Sequence, residues 1–561
     1  MKRRGKFQIG IVTSLSFLML LVTLWWPAVN RASTTILAAP LQQTGSGVIT
    51  VGMATRSADD FDYRHINAVR LAISQVNAAG GVMVGGNAYS LSLVMADTGN
   101  DNTRAITAAN ELINAGAVAV VGPMRSGSLS ASQKIYNEAG VPFISPGSTV
   151  PNANPQGYTT TFRNTPYEGA GAIQLAEYFW SVGLERTSLI CNPIWPAVTG
   201  YDISCDMADV YKNRYEALGG TIINIHHISA TAEVTATLQA IEGEGPDALV
   251  ATLMDINTVG EADAIAGLIS RVRYNMGLTA TYGYVDFLIE DSFISTASTI
   301  TAAEGNFAAA SGRRASDMPG WARFEADYLA ENFVNGPTPD IFYAPYAYDA
   351  VGLIADALKR ANTTDTLAIR NQIAATANYT GVFGTYVGFD AYGDMIPQPG
   401  RVDVVKNGRW IPVVLEAEFY PDQGGIFDLE DTWAQSTTIT IPPDTVTNTL
   451  SMVYNLAVPT TNTGLFTQSL VSEHAVRVES NVTISSPMTI TIQYNDEDVA
   501  GVDESALILY TWDGSAWVDA QPCGGYVRDL ANNVLQAVVC HFSDYVLLEE
   551  TKAVYLPIIL K

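Results

Sequence analysis

Between residue 47 and about residue 312, short apolar runs alternate with longer stretches in which apolar residues recur with helical periodicity. The apolar runs Val48–Ala54 and Leu91–Ala96 are each followed by an amphipathic stretch, Ile66–Asn77 and Thr103–Ala115 respectively. Residues Ala117–Val121 are apolar at every position, as in a parallel strand that is covered on both faces. This alternation of strand and helix predicts an α/β layered fold.

The same alternation begins again after Arg163 and predicts a second α/β unit. Strand and helix patterns follow one another at Ser188–Cys191, Met207–Leu218, Thr221–His227 and Ala248–Leu253. The last two strands, Val402–Lys406 and Trp410–Val414, are separated by Asn407-Gly408, a dipeptide that favours a hairpin turn. We therefore expect the α/β part to end near residue 416.

The pattern changes class in the last part of the chain. Residues 417–436 are rich in Asp, Gly and Gln, which is typical of a linker. Short runs rich in Thr, Val and Ile follow between turn residues, so residues 437–550 are predicted to form an all-β sandwich. The apolar tail at 551–561 is expected to stay outside this sandwich, and a sorting or docking signal is one interpretation of it.

Residues 1–39 have the pattern of an export signal. Four basic residues within the first six precede the apolar run Phe7–Val29, and alanines follow at positions 32, 38 and 39. The run is long enough to span a bilayer, so an uncleaved membrane anchor is the alternative. No cysteine lies near the end of this segment, which excludes lipid attachment there. The protein is therefore predicted to be exported, either extracellular or in the cell envelope.

Charge and cysteine content narrow the choice of partners and of compartment. A formal net charge of -26 makes nucleic acid an improbable partner, because its recognition needs a basic face. The four cysteines form two local pairs, and an exported protein favours the disulfides Cys191–Cys205 and Cys523–Cys540. Free buried thiols are the alternative, and the spacing does not fit a zinc site.

The chain lacks the motifs that usually mark an active site. It contains no G-x-S-x-G elbow, no H-E-x-x-H, no Walker loop and no G-x-G-x-x-G turn. His226 and His227 are neighbours in a predicted strand, so their side chains point to opposite faces and do not easily share a metal. We therefore predict no catalytic residue, no metal and no cofactor. An enzyme on the same scaffold is kept only as a third hypothesis.

Three sets of segments in the α/β part resemble one known family. They are Ala68–Gly81, which ends in a double glycine; Val121-Gly-Pro-Met-Arg-Ser126 with Ile144-Ser-Pro-Gly-Ser-Thr149; and Tyr346–Val351 with Gly381–Gly384 and Gly388–Asp394. In this order, over roughly 370 residues, they resemble the leucine/isoleucine/valine-binding protein family. These are type 1 periplasmic binding proteins, which deliver solutes to ATP-driven (ABC) importers.

The resemblance implies a fold of two Rossmann-like parallel-sheet lobes joined by three crossovers. We place the crossovers near 163–167, 303–312 and 381–387. Lobe 1 would then comprise 47–165 and 308–382, and lobe 2 would comprise 166–307 and 383–416. The resemblance also implies a monomer that closes around a branched-chain or similar small amino acid, or an amide, and hands it to an ABC permease. A surface ligand-sensing receptor or adhesion protein with the same fold is the alternative.

Hydroxyl groups at the ends of two predicted strands are the first candidates for ligand binding. Ser126 follows one strand and precedes a helix-like stretch, so its hydroxyl can cap the helix while the free amides and the helix dipole attract a carboxylate. Ser148 and Thr149 end the next strand, and Gly147 permits close approach of a backbone. Ordinary helix capping and turn chemistry are the alternatives.

Candidates for the rest of the ligand site rest on the resemblance. Asp286 falls where the family places its ammonium-binding acid, with Asp255 in reserve, and a solvated loop acid is the alternative. Tyr201 approximates an aromatic wall, and Met254 stands where an aromatic contact is common. Phe61 or Tyr63 is a further candidate for an apolar wall, although either could simply cover the first helix of lobe 1.

Overall fold

The computed structural model describes residues 47–560 with gaps. The gaps are 58–59, 100, 193–202, 254–260, 286–290, 298, 341–342, 407, 420, 422–423, 431–435, 447–449, 456–475, 481–485, 495, 497–498, 500–502, 513–516, 520–521, 541–543 and 550–551. The predicted export signal lies outside the described residues. Among the helices that are described, none is both long enough and apolar enough to cross a membrane.

Lobe 1 is a six-stranded sheet with helices on both faces. Its first elements are β1 (Gly47–Thr55), α1 (Asp60–Ala78), β2 (Val82–Val84), β3 (Asn87–Asp97), α2 (Asn102–Asn114), β4 (Ala119–Val121), α3 (Ser126–Ala139), β5 (Phe143–Ser145) and β6 (Thr161–Arg163). The strand order is β2-β3-β1-β4-β5-β6, and all pairs except β2–β3 are parallel. Along β4, Ala119 and Val121 join the core under α1 whereas Val120 joins the core under α2, as the two-residue period of a strand requires.

Lobe 2 is a second sheet covered in the same way. Its elements are α4 (Gly169–Ser181), β7 (Arg186–Cys191), α5 (Ile203–Leu218), β8 (Thr221–His227), α6 (Val234–Glu244), β9 (Ala248–Thr252), α7 (Glu261–Met276), β10 (Thr281–Val285), α8 (Asp291–Thr296), α9 (Ile300–Ala303) and β11 (Phe307–Ser311). Strands β7 to β11 are parallel, in the order β8-β7-β9-β10-β11. The two predicted α/β units are confirmed.

The chain returns from lobe 2 to lobe 1, and then adds two more strands to lobe 2 before it enters the C-terminal module. The returning elements are α10 (Trp321–Ala330), α11 (Ala344–Ala361), α12 (Thr366–Ala374), β12 (Tyr379–Thr380), β13 (Thr385–Tyr386), β14 (Gly388–Phe389) and β15 (Met395–Ile396). Helix α11 begins with Pro345 in its first turn and ends at Asn362 in the left-handed conformation. Its apolar face packs with α1 in the core of lobe 1. Strands β16 (Gly400–Lys406) and β17 (Arg409–Phe419) then form the predicted hairpin on the edge of the lobe 2 sheet.

The third crossover lies later than the sequence predicted. Phe383, Tyr386 and Met395 are buried in the core of lobe 1, so the chain leaves that lobe between 396 and 400 rather than at 381–387. Residues 308–311 likewise belong to β11 of lobe 2 and not to lobe 1. The reason is physical: these side chains are buried in the same core as α1 and α11, and a short glycine-rich sequence does not reveal such a tertiary contact.

The three crossovers are hydrogen-bonded to one another. Gly312 donates its N–H to the carbonyl of Pro399 at 2.9 Å, and Tyr167 donates its N–H to the side chain of Gln398 at 3.0 Å. The Ser311 hydroxyl donates to the carbonyl of Glu168 at 2.9 Å. The connections therefore form one bonded hinge region between the lobes.

The C-terminal module is built from two sheets, which confirms the predicted sandwich class. Its strands are β18 (Gly425–Glu430), β19 (Ser436–Ile441), β20 (Leu450–Asn455), β21 (Val476–Ser480), β22 (Met488–Gln493), β23 (Leu507–Trp512), β24 (Trp517–Asp519), β25 (Tyr526–Asp529), β26 (Val534–Val539), β27 (Asp544–Glu549) and β28 (Lys552–Leu560). One sheet has the order β18-β19-β22-β26-β25, and the other continues the lobe 2 sheet from β17 through β20-β21-β28-β27-β23-β24. Tyr526 and Arg528 of the first sheet hydrogen-bond to the backbone of Leu509 and Leu507 in the second.

Two boundaries of this module differ from the prediction. The stretch 417–436 is not a free linker, because it contains the end of β17 and the whole of β18, which pairs with β19. The apolar tail also belongs to the module, since β28 pairs with β27 and β21. In both places the chain is held by backbone pairing that includes a strand further away in sequence: the end of β17 pairs with β20, and β28 pairs with β21.

Both predicted disulfides are present. Cys191–Cys205 joins the end of β7 to the first turn of α5, and Cys523–Cys540 joins two segments that flank β25 and β26. The alternative of free buried thiols is therefore wrong.

Candidate functional site

The carboxyl ends of β4 and β5 carry the predicted hydroxyl groups of lobe 1. Ser148 is fully buried, Thr149 is nearly so, and Ser126 is partly exposed. The Ser148 hydroxyl donates to the Ser126 hydroxyl at 3.3 Å, so the two strand ends meet as predicted. A side chain at Gly147 would collide with the backbone of Met124, which explains why glycine stands between the two segments.

Helix α3 begins at Ser126, but its serine is not the cap. Arg125 occupies the N-cap position with extended backbone and makes no side-chain capping bond, so the predicted capping role of the Ser126 hydroxyl is wrong. The hydroxyl is instead part of the first turn and interacts with Ser148. The first N–H groups of a helix have no partner within it, so this end presents amide donors beside two hydroxyls.

Glu168 is a functional candidate that sequence reasoning missed. The Thr149 hydroxyl donates to Glu168 Oε1 at 2.5 Å, and the Glu168 N–H donates to the Thr149 carbonyl at 2.8 Å. Glu168 is 3 % exposed, and its second oxygen, Oε2, has no hydrogen-bond partner among the described residues. Burying a carboxylate oxygen without a hydrogen-bond donor costs free energy, so Glu168 Oε2 is a position at which a donor from a ligand could bind.

The electrostatics of Glu168 reflect this burial. Desolvation raises the pKa of Glu168 to about 7, although the hydrogen bond from Thr149 and the charge of Arg163 oppose the shift. Tyr343, just before α11, is close enough for the Glu168 charge to help raise its pKa, after the larger effect of burial. The polar group therefore extends from the ends of β4 and β5 to the start of α11.

Arg163 fixes the strand end that carries Ser148 and Thr149. It is 1 % exposed and forms two hydrogen bonds to the carboxylate of Asp394, at 2.8 and 2.7 Å. Its remaining nitrogen donates to the carbonyl of Val150 at 2.5 Å. The guanidinium thus ties the segment after β5 to Asp394, near the end of the second stretch of lobe 1. An arginine next to a predicted crossover was the available sequence signal.

The predicted lobe 2 contributions cannot be placed. Tyr201, Met254, Asp255 and Asp286 lie outside the described residues, and so does the side chain of Phe61. Tyr63 lies on α1 and packs against the core of lobe 1, which agrees with the covering role that was the alternative.

The described strand ends of lobe 2 nevertheless form a connected surface. The Ser204 hydroxyl donates to the carbonyl of Thr252 at 2.6 Å and accepts the N–H of Asn192 at 2.8 Å, which joins the ends of β7 and β9 to α5. Ile203, at the start of α5, packs against the core of lobe 1. The two lobes are therefore in contact beside the candidate site.

One group of metal-ligand type lies near these strand ends. His227 Nδ1 is 3.3 Å from the sulfur of Cys191 and 3.6 Å from that of Cys205. Both sulfurs are committed to the disulfide, so the trio offers only one free ligand atom. His226 points elsewhere, with Nε2 2.9 Å from Glu244.

Comparisons with known proteins agree with the two-lobe architecture. The family model described as periplasmic binding protein matches residues 55–408. The Leu/Ile/Val-binding protein homolog 1 of Brucella suis is 26% identical over 330 residues, which cover 58% of this chain and 80% of the relative. Two structures of an ABC transporter substrate-binding protein from Desulfitobacterium hafniense superpose on 65% of this chain and 100% of theirs. One has a TM-score of 0.51 at 24% identity, and the other, a complex with Leu, has 0.50 at 23%.

Proposed function

Because this chain belongs to the periplasmic binding protein family, we propose that it captures a small amino-acid-like solute between its two lobes and delivers it to an ABC permease. The observation that carries the proposal is the group formed by Ser126, Ser148, Thr149 and Glu168 at the strand ends of lobe 1. Ligands of open α/β sheets bind beyond the carboxyl ends of the strands. The protein acts as a binding protein and not as an enzyme.

The hydroxyl side of this group suits a carboxylate. The Ser126 hydroxyl accepts the O–H of Ser148 at 3.3 Å and is left with its own O–H to donate, and the first turn of α3 adds amide donors and the positive end of the helix dipole. Gly147 lets this strand end pack closely against the backbone of Met124, in the segment that precedes Ser126. A ligand carboxylate would receive charge-assisted hydrogen bonds from these donors.

The acid side of the group suits an ammonium. The Oε2 atom of Glu168 is buried without a partner, and a cation placed there would supply the missing donor and restore the ionised form. Glu168 would then bind the ligand ammonium from lobe 1. Asp286, with Asp255 in reserve, remains the predicted partner from lobe 2, and Tyr201 and Met254 remain the predicted wall around the ligand side chain.

The relatives support a choice of ligand and compartment. Their names specify leucine, isoleucine and valine, and one solved relative holds Leu. We therefore infer a branched-chain or similar amino acid as the ligand, export by the N-terminal segment, and function as a monomer. Lobe closure by rotation about the three crossovers would enclose the ligand.

Titration calorimetry with a panel of amino acids tests this function. We expect binding of at least one branched-chain amino acid, and Ser126→Ala should weaken it about fivefold through loss of one hydroxyl donor. Ser130→Ala, one turn further along α3, is the matched control and should bind normally. If no branched-chain, aromatic or small polar amino acid and no short amide binds, the proposal is wrong.

A sensing receptor is the second candidate. The observation in its favour is that the C-terminal module continues the lobe 2 sheet, so a change in lobe position would be passed to that module. A permease gene next to the coding sequence would support delivery, whereas a kinase gene would support sensing.

A further inference from the structure

One strand belongs to both lobe 2 and the C-terminal module. Residues Arg409 to Val414 of β17 pair with β16 of lobe 2. Residues Val414 to Phe419 of the same strand pair with β20 of the module. Lobe 2 and the module are therefore joined by one continuous strand, whose two ladders meet at Val414.

Glu418 lies on the module half of this strand, and its carboxylate contacts lobe 1. Its Oε2 atom accepts the N–H of Thr385 at 2.8 Å, and its Oε1 atom is 3.1 Å from Nη2 of Arg313. Thr385 begins β13 of lobe 1, whereas Arg313 lies in the second crossover. A single side chain from the module strand therefore bonds to lobe 1 and to the hinge region.

The residues around Arg313 and Glu418 bury this ion pair and provide further contacts to Arg313. Arg313 also donates from Nη1 to the carbonyl of Phe383 at 3.1 Å, and its guanidinium lies 4.7 Å from the centre of the Phe383 ring. The side chains of Arg313 and Glu418 are only 3% and 7% exposed. Gly384 has a φ of 135°, and a Cβ there would collide with both charged groups, so glycine is required beside them.

We propose that Arg313, Glu418 and the Thr385 amide form a hinge latch through which the C-terminal module restrains the opening of the lobes. Opening would move β17 with lobe 2 away from Thr385. The buried carboxylate of Glu418 would then lose hydrogen bonds that water, which reaches this site poorly, would not fully replace. In the structure the latch is formed while Ile203 of lobe 2 touches the core of lobe 1. The latch thus favours the arrangement in which the lobes are in contact, and its effect on ligand affinity rests on the proposed function.

Distances between the lobes in the ligand-free full-length protein test the latch. Spin labels on non-natural amino acids at Lys134 of lobe 1 and Glu216 of lobe 2, both exposed, leave the native disulfides intact. For Glu418→Gln we expect pulsed electron resonance to show a shift to longer distances. The Kd of an amino-acid ligand should rise about tenfold, because a smaller fraction of molecules is closed.

Asp349→Asn is the matched control. Asp349 is also a buried carboxylate that accepts backbone N–H groups of the segment 382–385, but all its partners lie in lobe 1, so the interlobe distances should stay as in the wild type. If Glu418→Gln does not fold, Arg313→Lys should give the same shift more weakly. Unchanged distances in every folded latch variant would overturn the proposal. If the latch variants lengthen the interlobe distances but no amino acid binds to the wild type, only the proposed function is contradicted.

Discussion

Two buried carboxylates of lobe 1 and its hinge region differ in how fully they are hydrogen-bonded. Asp349 on α11 accepts the N–H groups of Val382 and Phe383 at 2.7 and 3.0 Å and the hydroxyl of Tyr386 at 2.9 Å. Glu168 in the first crossover accepts one hydroxyl and leaves one oxygen without a partner among the described residues. Burial raises the pKa of both, to about 6 for Asp349 and about 7 for Glu168.

The difference separates a structural acid from a candidate binding acid. The donors around Asp349 come from the protein itself and fix the segment that precedes β13. Glu168 Oε2 has no such donor among the described residues, which is why Glu168 and not Asp349 is the proposed binding acid. A shifted pKa alone does not make this distinction, whereas the count of donors does.

The largest expected effect is on folding. Asp349→Ala would leave three buried donors without an acceptor and should lower the free energy of unfolding by about 4 kcal/mol. Urea unfolding measures this change. Asp356→Ala, which removes a partly exposed acid paired with Arg360 on the same helix, should cost less than about 1 kcal/mol. Equal decreases in the free energy of unfolding of the two variants would contradict a structural role for Asp349.

The next largest effect is on the pH dependence of stability without ligand. The pKa of Glu168 is higher in the folded protein than its ordinary value of 4.5, so the folded state binds this proton more tightly than the unfolded state. Stability should therefore fall as the pH rises from about 4.5 to about 7 and then level off, with a contribution of about 3 kcal/mol from this group. Unfolding curves of the wild type and Glu168→Gln isolate it, because the glutamine variant lacks that slope. Parallel curves would contradict a buried, poorly bonded Glu168.

The smallest of the three effects is on affinity. Glu168→Gln removes the negative charge offered to a ligand ammonium and should weaken binding by about 2 kcal/mol without loss of folding stability at pH 8. Calorimetry measures the change, and Glu177→Gln, an acid paired with Arg214 within lobe 2, is the control. An unchanged Kd in Glu168→Gln would place the ligand elsewhere.

Local patterns were sufficient to predict much of the fold. Buried strands such as β1 and β4 are largely apolar on both faces, and the dipeptide Asn407-Gly408 favours the hairpin between β16 and β17, so periodicity and turn chemistry place them. The boundaries at 396 and 417 were missed because they depend on contacts between distant segments. Met395 is apolar in either lobe, and only the assembled core of lobe 1 shows where it is buried.

The candidate site was predicted only in part for a related reason. Ser126, Ser148 and Thr149 could be found because each follows a recognisable strand. Arg163 ends β6 and Glu168 precedes α4, on either side of the first crossover, and their roles depend on bonds to Asp394 and Thr149. Acids and arginines next to predicted crossovers were therefore the signal that could have identified them.

The interrupted order of lobe 1 along the chain has a consequence for biosynthesis. Helix α1 is translated early, but its partner α11 emerges only after the whole central part of lobe 2, and Asn67 reaches its hydrogen-bond acceptor at Asn335 across 268 residues. Long sequence separations of this kind slow folding, and they leave apolar surface uncovered on the nascent chain. Lobe 2, whose sheet is mostly contiguous, can therefore form first, whereas the apolar surface of α1 stays uncovered until α11 has been synthesised.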